Sequence, residues 1–341
     1  MNAHQTLKIG IVGLGRLGRR HAENLLQHVP GATLVAACSP LESELTWAKQ
    51  TLGISNLYLD YEALLAHEGL DAVFLVTPTS MHPQQIIQAL RAGKHVFCEK
   101  PLSLDLDDCR RVNAEATLHP HLNVMIGFVR RFDASYQDAY KKIQSGSIGQ
   151  PFMVYSQTCD QFDPEGFFVN FAPTSGGIFL DCSVHDIDLA RWMLGNPKPV
   201  RVYASGTIAI HQGLEACGDV DNGVAICEFE NGRIATFYAS RTMPHGHETV
   251  TEVTGTAGRL TIGRNPRQHR VEIADATGIR NECTPTFFDR FEDAFLSEAT
   301  YFVNAIRKQE PLSLTLDDAT EATRIGIAMR ESLVSKLPVM L

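Results

Sequence analysis

Two hydrophobic periods alternate along the first 127 residues. Short apolar runs rich in β-branched residues fall at Lys8–Val12, Thr33–Cys38, Ala72–Val76, His95–Cys98 and Asn123–Ile126. Helical patterns lie between them, at Arg16–Gln27, Glu42–Leu52, Tyr61–Ala66, Pro83–Ala92 and Leu106–Ala116. Nearly continuous apolar strands predict burial on both faces, which parallel strands covered by helices provide. The alternation predicts a doubly wound α/β sheet. Gly69 and Gly93 punctuate returns from helix to strand.

The pattern changes after Phe128. A helix is predicted over Ala134–Gln144, followed by longer alternating stretches at Phe152–Gln157, Val200–Ile208, Gly223–Phe229, Arg233–Ser240, Thr249–Thr254 and Val271–Ala274. Glu230-Asn231-Gly232 reads as a hairpin turn, because Asn-Gly tolerates positive φ. One inserted helix is expected at Gly176–Leu194, and two more, Phe287–Arg307 and Asp317–Ser335, end the chain. The expectation is therefore two domains: a Rossmann-type doubly wound domain over 1–127, and over 128–341 an α+β domain with a mostly antiparallel open sheet, one face of which lacks helical cover and favours self-association.

Composition narrows the function classes. The 341 residues are 44% hydrophobic and 20% charged, enough apolar chain for a sizeable core. Thirty basic against 39 acidic residues give a net charge of −9, which argues against nucleic acid and anionic lipid as partners. No apolar run is longer than five residues, so no membrane span is expected. Met1–Lys8 lacks a charged segment followed by an apolar one, so no secretory signal is expected. Eight cysteines are scattered singly, with no Cys-x-x-Cys, as thiols of a reducing cytoplasm would be. The close histidine pairs, His119/His121 and His245/His247, lack carboxylates at ligand spacing, and no metal site is expected.

Gly13-Leu-Gly15-Arg-Leu-Gly18 follows a predicted strand and opens a predicted helix. In that context the first glycine makes the tight turn, the second admits a pyrophosphate, and the third lets helix pack on strand. Phosphate then meets the N–H groups and positive end of the helix. The second strand ends Ala37-Cys38-Ser39, with Ser39 where NAD binders usually place an acid. Serine removes the charge that would repel a 2′-phosphate, and Arg16 offers a positive partner; alternatively Ser39 bonds the ribose of NAD and Arg16 touches only the pyrophosphate. NAD and NADP both stay open.

Glu99-Lys100-Pro101 follows the strand predicted at His95–Cys98, at the carboxyl edge where such sheets hold ligands. A lysine there can polarise a reacting oxygen, or be a surface lysine beside a turn. Asp181 and His185 are four apart in the inserted helix, which predicts one shared face. A carboxylate one turn from an imidazole can orient it for acid–base work, although a polar stripe on an amphipathic helix looks the same.

Five segments together resemble the Gfo/Idh/MocA oxidoreductase family: Gly13-x-Gly15-x-x-Gly18 with His21; Thr77-Pro78-Thr-Ser-x-His82; Gly93-Lys-His-Val-Phe-Cys-Glu99-Lys100-Pro101; Gly127-Phe-Val-Arg130-Arg131-Phe-Asp133; and Gly176-Gly-Ile-Phe-Leu-Asp181-x-x-x-His185-Asp-x-Asp188. The resemblance runs almost end to end and is greatest to the inositol 2-dehydrogenase branch. It implies an NAD(P)-dependent dehydrogenase that oxidises a secondary hydroxyl of a cyclitol or sugar to a ketone. Lys100, Asp181 and His185 would be the catalytic set, with His185 taking the hydroxyl proton. Gly13, Gly15, Arg16, Leu17, Gly18 and Ser39 would hold the dinucleotide, with Thr77, Pro78, His82, Glu99, Lys100 and Arg130. Lys100, Arg130, Asp160, Asp181, His185 and His247 would face a small polyhydroxylated substrate. A homo-oligomer, dimer or tetramer, is implied too.

The chain departs from the branch at four places. Cys159 stands where related chains carry arginine before the acid at Asp160. Ser39 replaces an acid. His245-Gly-His247-Glu248 occupies a segment that is Tyr-Gly-Tyr-Asp in some members, and Phe295 stands where tyrosine is usual. The last two remove substrate-side hydroxyls, so an aldose, anhydrosugar or ketose is the alternative substrate. A dinucleotide-binding regulator without activity is the alternative of another class.

Overall fold

The computed structural model describes residues 6–341; Met1–Gln5, on which most of the expectation about a leader rests, lie outside the described residues. The chain forms two compact units. One joins the chain up to Val129 to Asp293–Thr320, and the other joins Arg130–Glu292 to Glu321–Leu341.

The first unit is built on β1 (Leu7–Val12), β2 (Ala32–Cys38), β3 (Asn56–Tyr58), β4 (Ala72–Leu75), β5 (His95–Glu99) and β6 (Val124–Gly127). These interleave with α1 (Arg16–Gln27), α2 (Glu42–Leu52), α3 (Tyr61–Leu65), α4 (His82–Arg91) and α5 (Leu106–Leu118). The sheet order is β3-β2-β1-β4-β5-β6, parallel throughout. Strand order reverses between β1 and β4, and ligands of such sheets bind outside the carboxyl ends at that switch. Apolar strands fit because both faces are covered: every residue of β4 and β6 is buried.

In the second unit, α6 (Ala134–Gln144) leads to β7 (Pro151–Gln161), α7 (Phe167–Ser175), α8 (Ile178–Asp181) and α9 (Val184–Met193). Then come β8 (Pro199–Thr207), β9 (Asn222–Phe229), β10 (Ile234–Met243), β11 (Glu248–Gly255) and β12 (Gly258–Ile262). A separate ribbon, β13 (Ile273–Asp275) with β14 (Gly278–Arg280), takes up the stretch expected as a sheet strand at 271–274. Two long helices, α10 (Phe287–Lys308) and α11 (Leu316–Ser335), precede β15 (Val339–Met340). The large sheet runs β12-β11-β7-β10-β9-β8-β15. It is antiparallel except at the β7–β10 pair, so the mixed, mostly antiparallel sheet is as expected.

The strands β3, β12, β14 and β15 were not expected from periodicity, and three further features differ from that reading. The helix α7 was not expected; its aromatic run carries no polar face and Pro173 interrupts it. The single helix expected over 176–194 is two, α8 and α9, separated by Cys182-Ser183. There the Ser183 N–H reaches back to Ile178 O, one residue beyond the α-helical bond. Finally, α10 passes from the second unit into the first. Its buried Phe295, Ala299, Phe302, Val303 and Ile306 form one helical stripe. Phe302 meets the rings of Phe74 on β4 and Phe97 on β5 at 5.5 and 5.9 Å. No helix among the described residues is long and apolar enough to cross a membrane.

Candidate functional site

The glycine loop lies at the carboxyl end of β1. Gly13 has φ +89°, and a Cβ there would stand 2.4 Å from Val76 O. A Cβ on Gly18 would stand 2.1 Å from Gly13 O, so both positions require glycine. A Cβ on Gly15 meets nothing within 4 Å. Space is therefore open in front of Gly15, the N-cap of α1, and no side chain caps that helix. This cradle fits a dinucleotide pyrophosphate at a helix N-terminus. Arg16 is exposed and Leu17 half-buried in the first turn of α1.

Ser39, expected at the adenosine ribose, is buried. Its hydroxyl donates to Glu44 Oε2 at 2.5 Å and accepts from the Leu41 N–H at 3.1 Å. Beyond β4, Thr77 Oγ1 donates to Gln85 Oε1 at 2.5 Å, and Pro78 is exposed. His82 is buried between two carbonyls, with Nδ1 2.9 Å from Pro101 O and Nε2 2.9 Å from Thr77 O. Burial pushes its pKa down against the pull of those carbonyls and of Glu99. The ring thus sits between the β4 loop and the Lys100-Pro101 loop, with one carbonyl oxygen against each nitrogen.

Glu99 is also buried. Its Oε1 is 2.8 Å from His21 Nε2, and its Oε2 accepts the Lys100 backbone N–H at 3.2 Å. The carboxylate therefore holds the backbone that carries the half-buried Lys100. Glu298 of α10 completes a buried trio: ligand-capable atoms of His21, Glu99 and Glu298 all lie within 4.8 Å of one another. Burial first, then the charge of Glu99, push the Glu298 acid well above the usual carboxylate range. Phe74, Phe97 and Phe295 wall the His21 ring, at 6.0, 5.4 and 5.6 Å. Phe295, read from the sequence as a residue that had lost a substrate-side hydroxyl, is a wall of this apolar cluster.

In the second unit, Gly176 and Gly177 have φ of +80° and +85° and turn the chain into α8. Asp219 caps that helix, its Oδ1 accepting the Ile178 N–H at 2.9 Å. Asp181 ends α8, and its Oδ2 accepts from Arg241 Nη2 at 3.0 Å. Arg241 Nη1 donates to Asp219 Oδ2 at 3.2 Å, and its guanidinium lies 5.0 Å from the Phe168 ring. Arg241 is fully buried, and the neighbouring anions hold its pKa above the ordinary arginine value despite that burial. Asp160 Oδ1 meets His247 Nδ1 at 2.9 Å, and Asp160 Oδ2 accepts from Cys182 Sγ at 3.5 Å. Burial would raise the Asp160 pKa, but His247 and Arg241 outweigh it and the net shift is down. Asp160, Asp181, Cys182, Arg241 and His247 thus form one polar cluster.

His185 is half-buried in the first turn of α9. The break at Cys182-Ser183 separates it from Asp181, so the pair does not share one continuous helix as the spacing predicted. Arg130, expected beside both ligands, is buried instead in the core of the second unit. Its Nη1 donates to Asp186 Oδ1 at 2.9 Å and its Nη2 to Thr158 Oγ1 at 2.7 Å. Sequence reasoning missed Glu44, Glu298, Asp219 and Arg241. Only Arg241 left a signal: it follows Phe237 and Ala239 at period two on the buried face of β10, where a cation requires partners.

Comparison with known proteins places the chain. Residues 7–128 match the model of the Gfo/Idh/MocA oxidoreductase family's NAD-binding Rossmann fold, and residues 136–261 that of a Gfo/Idh/MocA C-terminal domain. The chain is 39% identical over 338 residues to scyllo-inositol 2-dehydrogenase (NAD(+)) of Bacillus subtilis, covering 99% of this chain and 97% of the relative. It is 34% identical to myo-inositol 2-dehydrogenase of Thermotoga maritima, covering 98% of both. The crystal structure of scyllo-inositol dehydrogenase from Lactobacillus casei, with bound NAD(H) and scyllo-inositol, superposes with a TM-score of 0.95 at 38% identity. That match covers 98% of this chain and 99% of the other.

Proposed function

The chain belongs to the Gfo/Idh/MocA oxidoreductase family, and from that premise we propose that it oxidises a ring hydroxyl of an inositol to a ketone with NAD. The full-length likeness to two scyllo-inositol dehydrogenases, at 39% and 38% identity, carries this reading. The open cradle at Gly15 supports the cofactor and the polar cluster around Asp160 supports a polyhydroxylated substrate.

The dinucleotide, when bound at the glycine loop, supplies the hydride acceptor. The chain's own residues handle the proton and the oxygen. His185 takes the hydroxyl proton as the C–O bond becomes C=O, so neutral His185 is the active form for oxidation. The Lys100 ammonium polarises the same oxygen, and Glu99 and His82 hold the loop that carries it. Asp181, anchored by Arg241, supports the imidazolium that forms on His185. Asp160 orients His247 toward substrate hydroxyls. Arg130 is assigned a structural part through Asp186 rather than ligand contact.

A substrate panel tests this reading. Scyllo-inositol, myo-inositol, aldoses and anhydrosugars are each assayed with NAD and NADP by absorbance of the reduced nicotinamide. Turnover is expected with an inositol and NAD. Turnover confined to an aldose or anhydrosugar moves the substrate class. Dinucleotide binding without turnover on any polyol favours a regulator.

A further inference from the structure

We propose that Glu44 is the residue that reads the adenosine ribose, making the site selective for NAD over NADP. The proposal rests on the cofactor reading above and goes beyond it by naming the selecting group.

Sheets with this glycine loop hold the adenosine ribose at the carboxyl end of β2, usually against an acid at that strand end. Here the strand end carries Ser39, which by itself suggests tolerance of a 2′-phosphate. The structure changes that reading. Ser39 is 1% exposed, and its only proton goes to Glu44 Oε2 at 2.5 Å. Its oxygen also accepts the Leu41 N–H at 3.1 Å. A serine so committed has no proton left for a phosphate. It acts instead as a tether that brings a carboxylate from α2 to the end of β2.

Glu44 is suited to the task. It lies in the first turn of α2. It is half-buried, and Oε1 is not engaged by Ser39. A carboxylate accepts from ribose hydroxyls and repels a phosphate in their place. Two arginines of α1 bear on the choice. Arg19 is committed, its Nε donating to Leu14 O at 3.2 Å and its guanidinium lying 4.8 Å from the Trp47 ring. Arg16, exposed in the first turn of α1, is the cation that would favour a 2′-phosphate. Cys38 beside the site adds no charge, since burial pushes its thiol up to about 11.

Equilibrium binding is the test, so turnover is not needed. NADH and NADPH are titrated by nicotinamide fluorescence into the parent, Glu44→Gln and Ser39→Ala, with circular dichroism to confirm folding. The parent should bind NADH more tightly. Glu44→Gln keeps an acceptor for Ser39 but removes the charge. It should weaken NADH, tighten NADPH and shift the ratio of the two Kd values by roughly tenfold to a hundredfold. Ser39→Ala keeps the charge without the tether and should shift the ratio less. An unchanged ratio in a folded Glu44→Gln protein that still binds NADH overturns the Glu44 assignment alone. A larger shift in Ser39→Ala than in Glu44→Gln returns the selection to the serine. A parent that binds neither dinucleotide overturns the cofactor reading and this assignment with it.

Discussion

A carboxylic acid with no exposed surface is stable only as the neutral form unless a cation meets it. Glu298 is such a group, 0% exposed and facing the Glu99 carboxylate. With its pKa raised in the folded state, it binds a proton there at pH values where the unfolded chain has released it. Its contribution to stability is therefore greatest below the unfolded value, about 4.3, and falls as pH rises toward the folded value. Glu298→Gln removes that titration and should flatten the decline. Urea unfolding at pH 5 and pH 8 reads the effect, with the parent losing more stability between the two than the variant. Equal losses would mean that Glu298 is ionised in the folded protein. At the loop proposed to carry the catalytic lysine, Lys100→Met should cost about 2–4 kcal/mol of transition-state stabilisation, roughly thirtyfold to a thousandfold in kcat. NADH affinity should stay within a few-fold, because the ammonium is assigned to the reacting oxygen. Near-normal turnover would return Lys100 to the role of a surface lysine.

Elements formed where local pattern and tertiary packing agree, and their limits shifted where only packing decides. Asn231 and Gly232 take φ of 64° and 73°, the positive values that Asn-Gly was expected to supply. The loop spans three residues, since Phe229 N–H bonds Arg233 O across it. A Cβ on Gly232 meets nothing within 4 Å. Gly232→Ala therefore pays only for backbone strain and should destabilise the protein by about 1 kcal/mol. Denaturant unfolding measures it, and a shift near zero would mean the loop relaxes to another conformation. The parallel strands were legible for a related reason: a strand covered on both faces must be apolar throughout. The break between α8 and α9 was not legible, because neither Cys182 nor Ser183 breaks helices. Asp181 pairs with Arg241, a partner 60 residues away. The Ser39–Glu44 pair was hidden differently: the two residues are only five apart, but their contact depends on how the chain turns between β2 and α2. The glycine loop could be read because its close approaches require glycine at fixed positions, and the Lys100 loop could be placed because it follows an apolar strand of the parallel sheet. The side chains that anchor them come from distant helices and strands with no fixed spacing.

At the scale of the whole molecule, the open face of the large sheet decides whether the chain acts alone. Register places Tyr203 opposite Ile226, Ile226 opposite Thr236, and Thr236 opposite Tyr155, so these side chains share one face across β8, β9, β10 and β7. Val224, Met153 and Ile234 lie on the same face, opposite Tyr238, Ile234 and Glu228 in turn. The reverse face carries the buried Val202, Ala225, Cys227, Ala235, Phe237 and Val154, and α9 packs on it at β7 and β10. On the open face Met153, Tyr203, Val224, Ile226 and Ile234 are all exposed. Contiguous apolar surface of this kind marks an interaction site more often than idle surface. A second copy is the expected occupant, because the face is apolar at its centre and carries the Arg201–Glu228 pair, whose two charges a symmetric partner can meet in reverse order. Light scattering on the parent should therefore give a mass above the 37.6 kDa of one chain. Ile226→Glu places a carboxylate at the centre of the face without touching the buried side of β9. It should shift the protein toward smaller species while leaving its circular dichroism unchanged. A parent that scatters as one chain, or a variant whose mass equals the parent's, would assign this face to something other than self-association.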